Sequence, residues 1–216
     1  MPPAPRDLRR PVTVINRFTV TDDIEKFERE FREHSQYLRR QEGFQFLVTV
    51  RSVYRTDQFT HLGHWRSLED FLAVVHDETF LAHVQRLGRM VEAEADQAVS
   101  VGRVTLRNAV VGAANVVLLH ARLEGDHWEF EQNFSALTAE CAKQDGFGGS
   151  DLLRSTVSPQ KYLGLFWWYD AESCDRALRS DAYAVAQRRL AEVARITPER
   201  TRHVAYERVI WDAEQP

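Results

Sequence analysis

A chain of 216 residues is long enough to bury a core without disulfide or metal support. Its formal charge of −4, with 11% aromatic and 28% charged residues, gives no electrostatic reason to expect nucleic acid or an anionic membrane as partner; a neutral small molecule stays open. Met1–Arg10 is rich in Pro and Arg without an apolar run, so no signal peptide or membrane anchor is expected, and the expected location is the cytoplasm.

The β-branched run Val12–Val20 predicts a first strand. Asp22, with Glu25 three residues on, offers a capping box, and Ile24, Phe27, Phe31 and Leu38 then recur at helical spacing and give one apolar face. Gly43 suits the position beyond the helix end. Strands are predicted at Phe46–Tyr54 and Gln58–Trp65, around the turn Arg55-Thr56-Asp57. Ser67 with Asp70 is a second capping box; Leu68, Phe71, Leu72 and Val75 open a helix that resumes at Phe80 and runs through Val84 and Leu87. Gln97–Val104 supplies a last strand.

A shift of 103 residues without gaps superimposes the two halves of the chain. Asp23 falls on Asp126, Phe27 on Phe130, Phe31 on Phe134, Gly43-Phe44 on Gly146-Phe147, Arg51-Ser52 on Arg154-Ser155 and Trp65 on Trp168. The second copy repeats the order from Asn115 to Val209. The predicted organisation is a repeat at 12–104, a linker at 105–114 and a repeat at 115–209, in an α+β fold of two tandem ferredoxin-like βαββαβ units. A sheet with its helices on one side leaves the other side to be covered, and two fused copies can cover it by packing sheet to sheet within one chain. Cys141 and Cys174 fall within helical patterns and read as structural thiols.

Asn16-Arg17 in the first strand, Glu42-Gly43-Phe44 after the first helix, Trp65-Arg66-Ser67 closing the third strand, Phe71, and Phe80 to His83 together resemble the antibiotic biosynthesis monooxygenase family. The resemblance covers almost all of the first repeat and, through Gly146-Phe147 and Trp168, extends to the second. It implies an intrachain dimeric α+β barrel. It also implies an oxygenase that converts aromatic polyketide-type phenols or anthrones to quinones, or opens rings of polycyclic quinones, using O2 without a bound metal. No tightly bound cofactor is implied; reduced flavin (FMNH2 or FADH2) as a diffusible co-substrate is an open variant, as is a homodimer of the two-repeat chain. The fold also hosts heme-degrading monooxygenases and members without known chemistry. The heme-degrading branch uses a first-strand Asn with a Trp and a His on the second helix. Asn16 fits, but the Trp place holds Val74 and the His place holds Val84, one residue beyond His83. The quinone-forming branch carries an Asn four residues before the strand-3 Trp, and His61 stands there.

Alternation along the third strand puts Phe59, His61, Gly63 and Trp65 on one face, and Thr60, Leu62 and His64 on the other. If Trp65 faces the helices, as the resemblance implies, His61 joins it. The expected catalytic set is then His61, whose ordinary pKa of about 6.5 suits proton transfer, Trp65, which stacks on a ring and donates its indole N–H, and Asn16, which misfits its β-branched strand and orients a carbonyl. Phe59, Phe71, His76, Phe80 and His83 are the expected substrate-binding wall, with His76 and His83 on one helical face. In the second repeat Tyr162, Phe166 and Trp168 line either a packed half or a second aromatic-binding pocket, since Gly164 replaces His61 and Leu119 replaces Asn16. No Cys-x-x-Cys, His-Glu-x-x-His or Gly-x-Gly-x-x-Gly motif occurs, so no protein-bound metal or dinucleotide is expected. The alternative function is a non-catalytic barrel that binds a small molecule.

Overall fold

The computed structural model describes residues 7–208, with side chains through Val204. The predicted repeat end at Val209 lies outside the described residues. The first repeat contains β1 (Val12–Val20), α1 (Ile24–Leu38), β2 (Phe44–Ser52), β3 (Gln58–Trp65), α2 (Leu68–Val74), α3 (Glu78–Gly88) and β4 (Val91–Thr105). The second contains β5 (Val116–Leu123), α4 (His127–Ala142), β6 (Phe147–Ser155), β7 (Lys161–Trp168), α5 (Ala171–Leu178), α6 (Asp181–Ala191) and β8 (Ala194–Arg208). The fold is α+β, built of two ferredoxin-like repeats in which the second helix is split in two.

The described chain forms two compact units, one from 7–49, 57–95 and 206–208, the other from 50–56 and 96–205. In the first unit β3 lies between β1 and β2. The antiparallel β1–β3 register sets Val12 opposite Trp65, Val14 opposite Gly63, Asn16 opposite His61 and Phe18 opposite Phe59. Directly opposed residues share a sheet face, and α1 covers this one: Phe18 meets Phe27 and Phe31 edge-on at 5.7 and 5.6 Å, and Phe59 lies 5.0 Å from Phe27. Trp65 packs nearby with Leu38, Phe44, Leu47, Leu68 and Val74. The other face carries His64, whose Nδ1 is 2.9 Å from Thr13 Oγ1 and whose ring stacks on Phe46 at 4.1 Å.

In the second unit the strand order is β8-β5-β7-β6-β4. The C-terminal half of β4 pairs with β6 from Ala98–Ser155 to Thr105–Gly149, with a bulge between Ser100 and Gly102. Phe130, Leu137, Phe166 and Trp168 are fully buried in its core. Cys141 and Cys174 are free and buried there, and burial pushes each thiol up to about 12.

Several boundaries differ from expectation. The α1 cap is Asp23, whose carboxylate accepts from Lys26 N–H at 2.8 Å, and not Asp22. Strand β2 runs two residues earlier than predicted, because Gly43 ends its turn immediately before Phe44. Strand β4 starts at Val91 and not at Gln97: Val91-Glu92-Ala93-Glu94-Ala95 has helical propensity, yet it is extended with Glu92 and Glu94 exposed. The Ser67 cap holds as read, its hydroxyl accepting from Asp70 N–H at 3.0 Å.

Gly43 has φ +77°, and a β-carbon there would run into the Asp70 carboxylate. Its copy, Gly146, has φ +84° and faces the Ser173 hydroxyl in the same way. Each carbonyl accepts the equivalent amide, Arg66 at 2.8 Å and Tyr169 at 2.7 Å, so each glycine ties the end of its first helix to the start of the next. Gly43→Ala is expected to cost about 1–3 kcal/mol, read as a lower urea midpoint. Gly102→Ala, at a position with open space around it, is expected to stay within about 0.5 kcal/mol of wild type. Equal midpoints for the two variants would contradict this account of the turn.

Candidate functional site

The site residues converge because β3 alternates and α1 lies over one of its faces. His61 is only 3% exposed; its Nδ1 lies 3.2 Å from Thr49 Oγ1 on β2, and Phe31 of α1 meets its ring edge-on at 4.9 Å. Trp65, 1% exposed, packs against Phe44 at 5.3 Å and Phe71 at 5.5 Å. Between them Gly63 presents no side chain. The point a β-carbon would occupy there is 3.5 Å from His61 Nε2 and 3.6 Å from Trp65 Nε1. Among the described residues neither nitrogen has a protein hydrogen-bond partner. The indole nitrogen can only donate, whereas the imidazole nitrogen donates or accepts according to tautomer. Asn16 stands on β1 directly across from His61, half-buried, its amide likewise without a protein partner among the described residues.

A second polar group approaches from α1. His34 is 7% exposed, and its Nδ1 is fully buried without a hydrogen-bond partner, a state that costs about 1–3 kcal/mol. Its ring lies 5.5 Å from Phe80, 5.5 Å from His83 and 6.2 Å from Phe31. Half-buried His83 is oriented by Arg86, whose Nη2 donates to Nδ1 at 2.9 Å. A guanidinium only donates, so Nδ1 accepts and the proton of neutral His83 sits on Nε2. Arg86 is held in turn by Glu30 at 3.0 Å. Tyr37 donates to Asp77 at 2.7 Å, and burial with that hydrogen bond pushes its phenol up to about 12.

Burial sets the protonation of this wall. Desolvation, with His34 nearby, holds His61 down at about 3; desolvation, with His83 and Arg86 nearby, holds His34 at about 4. The expected pKa near 6.5 for His61 is therefore corrected: a charged imidazole here would give up its hydration with no carboxylate to replace it. At neutral pH the site presents two neutral imidazoles, an indole and an amide.

Of the expected wall, Phe59 is buried against Phe27, while Phe71 and Phe80 pack half-buried beside the Trp65 cluster. His76 does not share a helical face with His83. It is exposed in the turn between α2 and α3, where Asp77 caps the new helix by accepting from Thr79 and Phe80 N–H. Val74, at the heme-branch Trp place, is buried core, and Val84, at the His place, is exposed. His34 and Thr49 were not singled out in the sequence. The signal for His34 was its spacing, seven residues after Phe27, three after Phe31 and four before Leu38, on the apolar face of α1.

The second repeat fills the equivalent space. Phe166 stands where the first repeat has Gly63, and Phe134 lies against Gly164, at the place of His61. A β-carbon at Gly164 would come within 2.5 Å of the Phe134 ring. Trp168 is fully buried, with its Nε1 unpartnered. Tyr162, also buried, donates to Glu131 at 2.8 Å and meets His127 Nδ1 at 2.8 Å. These three predicted pocket residues lie in a packed core. Among the described residues no group of three or more His, Cys, Asp or Glu side chains is placed to hold a metal ion, and no helix is long and apolar enough to cross a membrane.

The depressed histidines fix a pH dependence. Above the unfolded pKa of about 6.5 both states leave them neutral. As pH falls below it, the unfolded chain takes protons that the folded chain refuses until about 4 for His34 and about 3 for His61. Stability should fall through that window by up to about 1.4 kcal/mol per pH unit for each histidine. Urea unfolding at pH 7.0, 6.0 and 5.0 checks this, with a shallower slope expected for His34→Leu; a flat wild-type profile would contradict it.

The family model described as antibiotic biosynthesis monooxygenase matches residues 11–86 and 122–189. Comparison with curated protein sequences gives no match. Among solved structures, a Fusobacterium nucleatum protein assigned by inference as a monooxygenase is 7% identical with a TM-score of 0.75, covering 92% of this chain and 94% of its own. An anthrone oxidase-like protein is 15% identical with a TM-score of 0.67, covering 93% and 94%. SnoaB, a cofactor-independent oxygenase from Streptomyces nogalater, is 24% identical with a TM-score of 0.40, covering 47% of this chain and 97% of its own. The first two likenesses establish a shared fold across both repeats. With its family model matched in two copies over more than half of its length, the chain belongs to the antibiotic biosynthesis monooxygenase family.

Proposed function

We propose that the first repeat is an oxygenase site for an uncharged, electron-rich aromatic of the phenol, anthrone or polycyclic quinone type, acting with O2 directly. The observation that carries this reading is the bare Gly63 between two nitrogens without protein partners, where the second repeat carries Phe166. A deprotonated anthrone or phenol is itself a one-electron reductant of O2. The protein needs only to assist deprotonation, exclude water and hold the radical pair until it recombines. For an anthrone, loss of the methylene proton and electron transfer to O2 give a substrate radical and superoxide. Their recombination and protonation give a hydroperoxide, and loss of water leaves the quinone carbonyl.

Each residue has a part in this. His61 is a weak base when alone, but a proton taken from the substrate leaves an imidazolium beside the enolate it has just made, so the pair is neutral overall. Thr49 holds its ring in place at Nδ1 and leaves Nε2 toward Gly63. Trp65 donates its N–H to oxygen bound above Gly63, and Asn16 orients a substrate carbonyl from the opposite strand. Phe31, Phe71 and Phe80 supply aromatic contact. Tyr162, Phe166 and Trp168 have a packing role in this reading.

The test is aerobic against anaerobic incubation with anthrones, naphthols and angucyclinone-like quinones, with and without added reduced flavin. Oxygen-dependent product is expected in the absence of added metal, and a flavin requirement would identify the reductant-assisted variant. No product under any condition would overturn the oxygenase reading in favour of a binding protein. His61→Ala is expected to lower turnover more than tenfold. Gly63→Ala, whose methyl group fits at ordinary contact distances, is expected to do the same while keeping the wild-type urea midpoint. Undiminished turnover in Gly63→Ala would remove the reacting oxygen from this place.

A further inference from the structure

The most conspicuous group that this mechanism leaves unused is His34. It is a polar side chain on the apolar face of α1, more than nine-tenths buried, with Nδ1 sealed from solvent and joined to nothing in the protein. Its neighbours do not explain it. Phe31 and Phe80 offer ring contacts only, and His83 has its Nδ1 taken by Arg86. Leucine at this position would continue the Phe27, Phe31, Leu38 face, so packing alone does not call for an imidazole.

His34 and His61 flank the same ring. Phe31 lies 4.9 Å from His61 and 6.2 Å from His34, so the two imidazoles, one on β3 and one on α1, lie against the same aromatic ring. No Asp, Glu, Lys or Arg among the described residues of the first unit is buried. A ligand that satisfies these imidazoles therefore carries oxygen functions at separate edges of a flat ring system and no net charge.

Resting on the oxygenase reading of this site, we infer that His34 is a substrate-contacting residue that reads a hydroxyl or carbonyl on the edge of the aromatic remote from the reacting carbon. His61, Trp65 and Asn16 hold the reacting edge, and His34 selects oxygenated ring systems over bare ones. A buried hydrogen-bonding group left unpaired by the wrong ligand discriminates more strongly than an apolar contact does.

The experiment measures binding, so it does not depend on turnover. Dissociation constants for 2,6-dihydroxyanthraquinone, with hydroxyls at its two outer edges, and for unsubstituted anthraquinone are determined by fluorescence quenching with wild type, His34→Leu and His34→Asn. Wild type is expected to prefer the dihydroxy compound at least tenfold. His34→Leu is expected to abolish that preference, leaving anthraquinone affinity within about twofold, and His34→Asn to restore part of it. His34→Leu should also have a thermal midpoint no lower than wild type, because it removes an unpaired buried group; if leucine packs poorly, His34→Phe gives the same comparison. Binding of both quinones with a preference that His34→Leu leaves intact would overturn this inference alone. Failure of wild type to bind either quinone would sink it together with the oxygenase reading.

Discussion

The pairing register between β1 and β3 is the constraint on which the site depends. Strand side chains alternate with a period of two, so a one-residue slip would turn His61, Gly63 and Trp65 away from α1 and bring Thr60, Leu62 and His64 beneath it. The register is held by burial on both sides. Phe18 and Phe59 pack under α1, while His64 is fixed on the opposite face by Thr13 and Phe46. Asn16 faces His61 because Val12 and Trp65, four residues away on each strand, are locked into the core at the other end of the ladder.

On that frame, chemistry is decided by what is missing as much as by what is present. The two repeats share Trp65 with Trp168, Phe31 with Phe134 and the glycine turns before β2 and β6, so their backbones place the same positions alike. They differ in where the small residue of the third strand falls. Glycine at 63 puts no side chain between two ring nitrogens, the place of its β-carbon lying 3.5 Å from His61 Nε2 and 3.6 Å from Trp65 Nε1. Glycine at 164 instead receives the Phe134 ring, and Phe166 fills the position that Gly63 leaves bare. Duplication thus gave one copy a phenylalanine where the other carries a bare glycine between His61 and Trp65.

Burial also explains why the polar groups are neutral. Two histidines, an indole and an amide can be taken from water at moderate cost. A buried carboxylate or guanidinium without a partner would cost far more. The one charged residue buried among the described residues, Asp151 in the second unit, is met by Arg103 and Ser100.

Much of this was legible in the sequence, and the gaps have physical causes. The bounds of β1 and β3 follow from β-branched and alternating residues, and the shared face of His61 and Trp65 follows from the pleat alone. The early start of β4 was hidden because Glu and Ala favour helix while the sheet overrides them. The interruption between Val75 and Phe80 was read, but His76 was not placed in it, because its spacing of seven from His83 suits a single helical face and conceals the Asp77 cap. His34 escaped notice because an apolar face is read from its apolar members, and a depressed imidazole pKa depends on burial that only the fold creates. The central claim, that an aromatic ligand reacts beside Gly63, between His61 and Trp65, is tested most directly by a crystal structure with a redox-inert anthraquinone bound. The account predicts the ligand in the first repeat, with one carbonyl oxygen within hydrogen-bonding distance of His61 Nε2 and Trp65 Nε1; a ligand seated elsewhere, with those nitrogens untouched, would contradict it.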